Sequence, residues 1–173
     1  MAIVKNANKI IKVIGFVPVD GYENRFQYVA KYKDKEINTF VVDFDAGKNG
    51  KINWGKVSDI EHGRSSNLSK KESIVQLFWV IKLIESGYKP DKIAIEKEVQ
   101  VGRKSGYIDI VVYDEKNTPF LILDVKKDEE EFEKYSSEGF KLPVFNADKT
   151  VMELLLPTFR LLRCVILPSV FNG

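Results

Sequence analysis

Between residues 9 and 58 the apolar residues come in short β-branched and aromatic runs, KIIKVIGFV, RFQYVAKY and NTFVVDFD, separated by the polar stretches DGYEN and DAGKNGK. Runs of this length bounded by Gly, Asn and Asp predict strands joined by turns, hence an antiparallel β-meander over residues 1–58. Residues 59–68, DIEHGRSSNL, read as a polar linker. The pattern then changes period. Ser69 is an N-cap candidate with Glu72 three residues on, and IVQLFWVIKLI runs from Ile74 towards Gly87 and Pro90. This predicts a helix stopped by Gly87, apolar nearly all round and so buried on more than one side.

Alternation returns in KIAIEKEVQV, residues 92–101, which sets Ile93, Ile95, Val99 and Val101 on one face and Glu96, Glu98 and Gln100 on the other. After the basic loop GRKSG comes GYIDIVVYDEKNTPFLILDVKK, two apolar strands around a polar turn. DEEEFEKYSSEG, residues 128–139, reads as a short acidic helix and VFNAD as a strand. Residues 150–173 form an apolar tail in which Pro157 and Pro168 interrupt any long helix. The organisation expected is a β-meander over 1–58, an α/β core over 59–149 built on a central mixed sheet of about four strands flanked by helices, and the tail, which could be truncated.

Composition narrows the classes. The chain has 173 residues, 44% hydrophobic and 30% charged, the profile of a globular protein of one main domain. A formal net charge of +2 gives no broad basic footprint for nucleic acid, so contact with nucleic acid must come from a local site. One cysteine, Cys164, excludes an intrachain disulfide, and with His62 as the one histidine a structural zinc site is excluded too. Lys5, Lys9 and Lys12 break the N-terminal apolar stretch, against a secretory signal, and no run reaches membrane-span length; the expected compartment is the cytoplasm.

Each strand of the hairpin carries an aspartate inside its apolar run, Asp109 and Asp124. With the turn centred between Lys116 and Asn117, paired residues sum to 233, which sets Asp109 opposite Asp124. Directly opposed residues have Cβ atoms about 4.5–5.5 Å apart, where like charges repel. Lys126 shares the face of Asp124, with Val125 pointing the other way. A divalent cation offsets the repulsion of two carboxylates, and Mg²⁺, which keeps much of its water shell, suits so small a ligand set. Lys126 beside it could orient or deprotonate an attacking water, or neutralise charge on a phosphate. A plain Asp124–Lys126 surface ion pair is the competing reading.

The order of helix with Glu72, strand 92–101, GRKSGYIDIVVYD and PFLILDVKK resembles the PD-(D/E)xK nuclease superfamily, and within it the N-terminal nuclease domain of type I restriction enzyme R proteins. The resemblance covers roughly residues 1–149. It implies a restriction-endonuclease-like core and hydrolysis of double-stranded DNA dependent on Mg²⁺, with Mn²⁺ as a substitute. It implies Asp109 and Asp124 as metal ligands, the Val125 carbonyl as a further one, Lys126 as the motif lysine and Glu72 as the accessory acid of the preceding helix. It also implies partners: methyltransferase, specificity and motor domains or subunits. The sequence departs from the family in three ways: Tyr107 stands where Arg is frequent, Asp124 where Glu is usual, and no glutamine after Gln100 supplies a Gln-x-x-x-Tyr motif.

Other candidates have duller readings beside the functional ones. Glu72 fits a capping box with Ser69 as well as an accessory acid. Glu98 could face the site or solvent. Arg103, Lys104 and Lys127 could meet phosphate, and Tyr107 and Tyr113 could stack on a base, or all could be ordinary surface and packing residues. His62 reads as an exposed linker residue and Cys164 as a small buried hydrophobe. Two functional rivals stand beside the nuclease: a catalytically silent module for DNA contact or subunit docking, and an assembly fragment whose apolar tail binds another chain.

Overall fold

The computed structural model describes residues 3, 6–60, 66–101, 104–126 and 161–166. The first element is a helix. α1 spans Ala7–Ile14, with Ala7 and Ile11 buried and Gly15 closing it at φ 111°. The expected first strand of the meander is thereby corrected. Ala7, Ile10, Ile11 and Ile14 fall at helical spacing, and the isoleucines' β preference yields to that period and to packing of one apolar face.

The rest of the meander forms. β1 (Val17–Pro18), β2 (Arg25–Tyr32), β3 (Lys35–Asp43) and β4 (Lys51–Asn53) make a four-stranded antiparallel sheet in sequence order. The β2–β3 hairpin turns on Lys33 and Asp34, both at positive φ (48° and 62°), the conformation that lets a two-residue loop follow the strand twist. Within β3, Asn38 is buried and holds the turn after β4: its Nδ2 donates to the Trp54 carbonyl at 3.0 Å and its Oδ1 accepts from the Lys56 N–H at 2.7 Å.

β5 (Ser58–Ile60) straddles the boundary between the expected meander and linker, and pairs in parallel with β6 (Ile93–Val101). The Ser58 hydroxyl fastens it by donating to the carbonyls of Asp91 and Ile93 at 3.1 and 3.2 Å. β7 (Lys104–Tyr113), β8 (Pro119–Lys126) and β9 (Leu161–Ile166) continue the sheet antiparallel, in the order β5-β6-β7-β8-β9. The mixed sheet has five strands among the described residues, against about four expected: β6, β7 and β8 match strands read from the sequence, β5 and β9 come from the expected linker and the apolar tail, and the expected strand VFNAD lies outside the described residues. Residues 161–166 pair with β8, so this part of the tail is spent within the chain's own sheet.

α2 (Lys71–Glu85) lies between the two sheets, in contact with β2 on one side and with β7 and β8 on the other. That is why its sequence is apolar nearly all round. Ile74, Leu77, Ile81 and Ile84 share one core with Phe26, Phe40, Ile95, Ile110 and Leu123 from the two sheets. The helix ends as expected: Gly87 takes φ 102°, its N–H donates to the Ile84 carbonyl, and Pro90 opens a 3-10 turn into β6. The start differs. The N-cap is Lys70 with no side-chain capping bond, and the Ser69 hydroxyl donates to Asn67 instead. The Ser69–Glu72 capping box is therefore not formed. The fold is α/β, and among the described residues no helix is long and apolar enough to cross a membrane.

Candidate functional site

The β7–β8 hairpin is built from its turn inward. Asp114 organises the loop by accepting from the Lys116 and Thr118 N–H groups, each at 2.8 Å, while Asn117 takes φ 60°. A register shift between Val112 and Tyr113 absorbs one residue. Below it the ladder runs Val112↔Leu121, Val111↔Ile122 and Ile110↔Leu123, each pair summing to 233, the register read from the sequence. The next step inward on each strand is Asp109 and Asp124. On the far side of β8, Asp124 is the register partner of Arg163, Val125 of Leu162 and Lys126 of Leu161. Asp124, Val125 and Lys126 are placed by this backbone register.

Asp109 is half-buried, and Gln76 of α2 donates its Nε2–H to Asp109 Oδ1 at 2.9 Å. Two-residue alternation alone would set Asp109 away from Ile110, which lies in the core shared with α2. The contact with α2 marks a departure from regular pleating at this level. The neighbouring strand shows the same departure. The β6–β7 pairs sum to 205 on both sides, Ile95↔Ile110 and Lys97↔Ile108, while the intervening Glu96 and Asp109 are passed over. Glu96 has φ 53°, a left-handed conformation that costs a non-glycine residue about 1–3 kcal/mol.

Sequence reasoning missed two residues here. Gln76 is 1% exposed, and its Oε1 has no hydrogen-bond partner among the described residues. Glu96 Oε2 is likewise buried and unpartnered. Gln76 left a signal, as the lone polar residue in IVQLFWVI, whereas the place of Glu96 across from Asp109 emerges only from the β6–β7 register. Glu72 sits in the first turn of α2, half-buried, four residues before Gln76 and so on the same helix face.

The remaining candidates scatter. Glu98 is exposed and pairs in register with Tyr107, itself 45% exposed. Tyr113 is half-buried at the far end of β7, opposite Pro119. Lys104 begins β7, and Cys164 pairs in register with Leu123. His62, Arg103 and Lys127 lie outside the described residues, as do the acidic stretch 128–139 and VFNAD.

Asp109, its donor Gln76 and Glu96 of the neighbouring strand offer carboxylate and amide oxygens, the chemistry a hard divalent cation takes, and Gln76 Oε1 and Glu96 Oε2 are buried without a hydrogen-bond partner among the described residues. They fit such an ion. Among the described residues no three or more His, Cys, Asp or Glu side chains form a ready-made metal group.

These features define an α/β chain with an acid-bearing hairpin packed on a buried helix. Residues 71–142 match the family described as the type I restriction enzyme R protein N terminus, the family that the sequence motifs resemble. The matched segment opens at the first residue of α2 and runs past the end of β8, so it spans Glu72, Gln76, Glu96, Asp109, Asp124 and Lys126. No curated protein and no solved structure matches the chain at a significant level.

Proposed function

We propose that the chain carries the endonuclease centre of a type I-like restriction system and hydrolyses phosphodiester bonds of double-stranded DNA with Mg²⁺, or Mn²⁺ in its place. The observation that supports this reading is the β7–β8 register, whose last pair, Ile110↔Leu123, stands next to Asp109 on one strand and Asp124 on the other. In this reading the five-stranded sheet with α2 against it is the core of a PD-(D/E)xK nuclease.

Asp109, anchored by Gln76, and Asp124 would hold the cation, with the Val125 carbonyl as a further ligand. When bound, the ion polarises a phosphoryl oxygen and lowers the pKa of a water ligand. Lys126, two residues along β8 from Asp124, orients the attacking water and neutralises charge that builds on the phosphate. Glu72, one turn of α2 before Gln76, serves as an accessory acid at the edge of the centre. DNA and the methyltransferase, specificity and motor domains or subunits of such a system are the partners.

The test is nicking of supercoiled plasmid by the chain in Mg²⁺ and in Mn²⁺, beside Lys126→Ala. The reading expects cutting that depends on the ion and falls by 10²-fold or more without the lysine, the scale of a lost charge-stabilising group. Equal cutting by both proteins would refute the role given to Lys126.

A silent module for DNA contact or subunit docking is the second reading. The missing Gln-x-x-x-Tyr motif favours it. It predicts no Mg²⁺ or Mn²⁺ binding, and no change in affinity for divalent ions in Asp109→Ala or Asp124→Ala.

A further inference from the structure

We propose that Glu96 is a third carboxylate of this centre, held in a strained conformation so that it faces the cation shared with Asp109. The inference rests on the metal-centre reading above and extends it to a residue that the hairpin motif does not contain.

Three observations on Glu96 converge. It occupies the one β6 position inside the ladder that does not pair with β7, across from Asp109 by the register on both sides. It takes φ 53° in the middle of a nine-residue strand, where an extended residue would continue the sheet. Its Oε2 is buried without a hydrogen-bond partner among the described residues. A carboxylate oxygen removed from water and left unpaired is unfavourable unless something positive meets it. Backbone strain at such a residue persists only where the surroundings enforce it, and such positions gather at functional sites.

Gln76 supplies a separate indication that a ligand belongs here. It is 1% exposed, its Nε2 is committed to Asp109, and its Oε1 has no partner among the described residues. A buried amide oxygen on the residue that holds Asp109 and a buried carboxylate oxygen on the β6 residue across from it, both unsatisfied, call for a donor or a cation. Continuing the two registers gives one row across the sheet, Glu96 on β6, Asp109 on β7 and Asp124 on β8. An all-oxygen row of this kind suits Mg²⁺ or Mn²⁺ and disfavours softer ions.

The experiment is thermal unfolding and Mn²⁺ titration by electron paramagnetic resonance on the 173-residue chain and on Glu96→Gln, with Glu23→Gln at an exposed surface position as control. In EDTA, Glu96→Gln should melt at or above the wild-type temperature, because one carboxylate is removed from beside another. With Mn²⁺ the order should reverse: wild type and Glu23→Gln gain melting temperature, while Glu96→Gln gains less and binds roughly 10- to 100-fold more weakly. Equal gains and equal affinities in wild type and Glu96→Gln would overturn the role of Glu96 while leaving the centre itself intact. No Mn²⁺ binding by wild type would overturn both.

Discussion

Gln76 of α2 donates to Asp109 of β7 at 2.9 Å, joining the buried helix to the strand that carries the first acid of the hairpin. The helix is fixed between two sheets by its apolar residues, so the amide is presented from a rigid support. This makes Gln76 a positioning residue in the proposed centre.

Removing that amide should cost stability and metal affinity together. Gln76→Ala takes a donor from a half-buried carboxylate, a hydrogen bond to a charged group worth about 1.5–3 kcal/mol. Gln76→Glu should cost more, because it sets a second carboxylate within hydrogen-bond distance of the first. Urea denaturation measures both, and an unchanged midpoint in Gln76→Ala would show that the contact carries no weight.

Gly55 is required by the turn after β4. It takes φ 66°, and a Cβ there would stand 2.2 Å from Asn38 Oδ1 and 2.5 Å from the Thr39 carbonyl. Gly55→Ala must displace the buried Asn38 that holds the turn, and should destabilise by about 2–4 kcal/mol from strain and a broken buried hydrogen bond. The expected sign is a lower urea midpoint; a midpoint at or above wild type would contradict the geometry.

Arg25 and Asp43 are register partners on β2 and β3, and the guanidinium donates to Asp43 Oδ2 through Nε at 2.9 Å and Nη2 at 2.5 Å. The hydrogen bond from Arg25 is the main reason the Asp43 carboxyl titrates below its ordinary value. A lowered folded-state pKa contributes stability that is present above the unfolded value near 4 and lost as pH falls through the folded value. The melting temperature of Asp43→Asn should therefore fall less steeply than wild type between about pH 4 and pH 2. Parallel curves would count against the pair.

At the alkaline end, the Tyr28 hydroxyl of β2 donates to Glu85 at the end of α2. Burial, then this hydrogen bond, raises the tyrosine pKa well above its ordinary value. The neutral phenol is favoured in the folded state, so its contribution is complete below the unfolded value near 10 and is lost as pH rises beyond it. Tyr28→Phe should lower stability at pH 8 and remove part of the loss seen above pH 10. The same alkaline slope in both proteins would place its origin elsewhere.

How much of this could be read from the sequence depends on the range of the interaction. The α2 span, its Gly87 stop and the hairpin register were legible because they rest on local period and turn chemistry. The α1 helix was misread because KIIKVI satisfies both a β-branched strand and a helical stripe, and tertiary packing decides between them. β5 and β9 were hidden because short strands in a polar linker and an apolar tail gain their pairing from β6 and β8, distant in sequence. Asp109 and Asp124 stood out as acids in apolar runs. Gln76 and Glu96 did not, since their roles arise from contacts between elements: a helix face meeting a strand, and a local break in pleating.

The central claim is that Asp109 and Asp124 share one divalent ion. Its most direct test is Mn²⁺ titration of wild type, Asp109→Ala, Asp124→Ala and the double variant. Binding is expected in wild type, with a comparable, non-additive loss in all three variants, since either aspartate alone leaves only half of one site. Wild-type affinity retained in the double variant would contradict it.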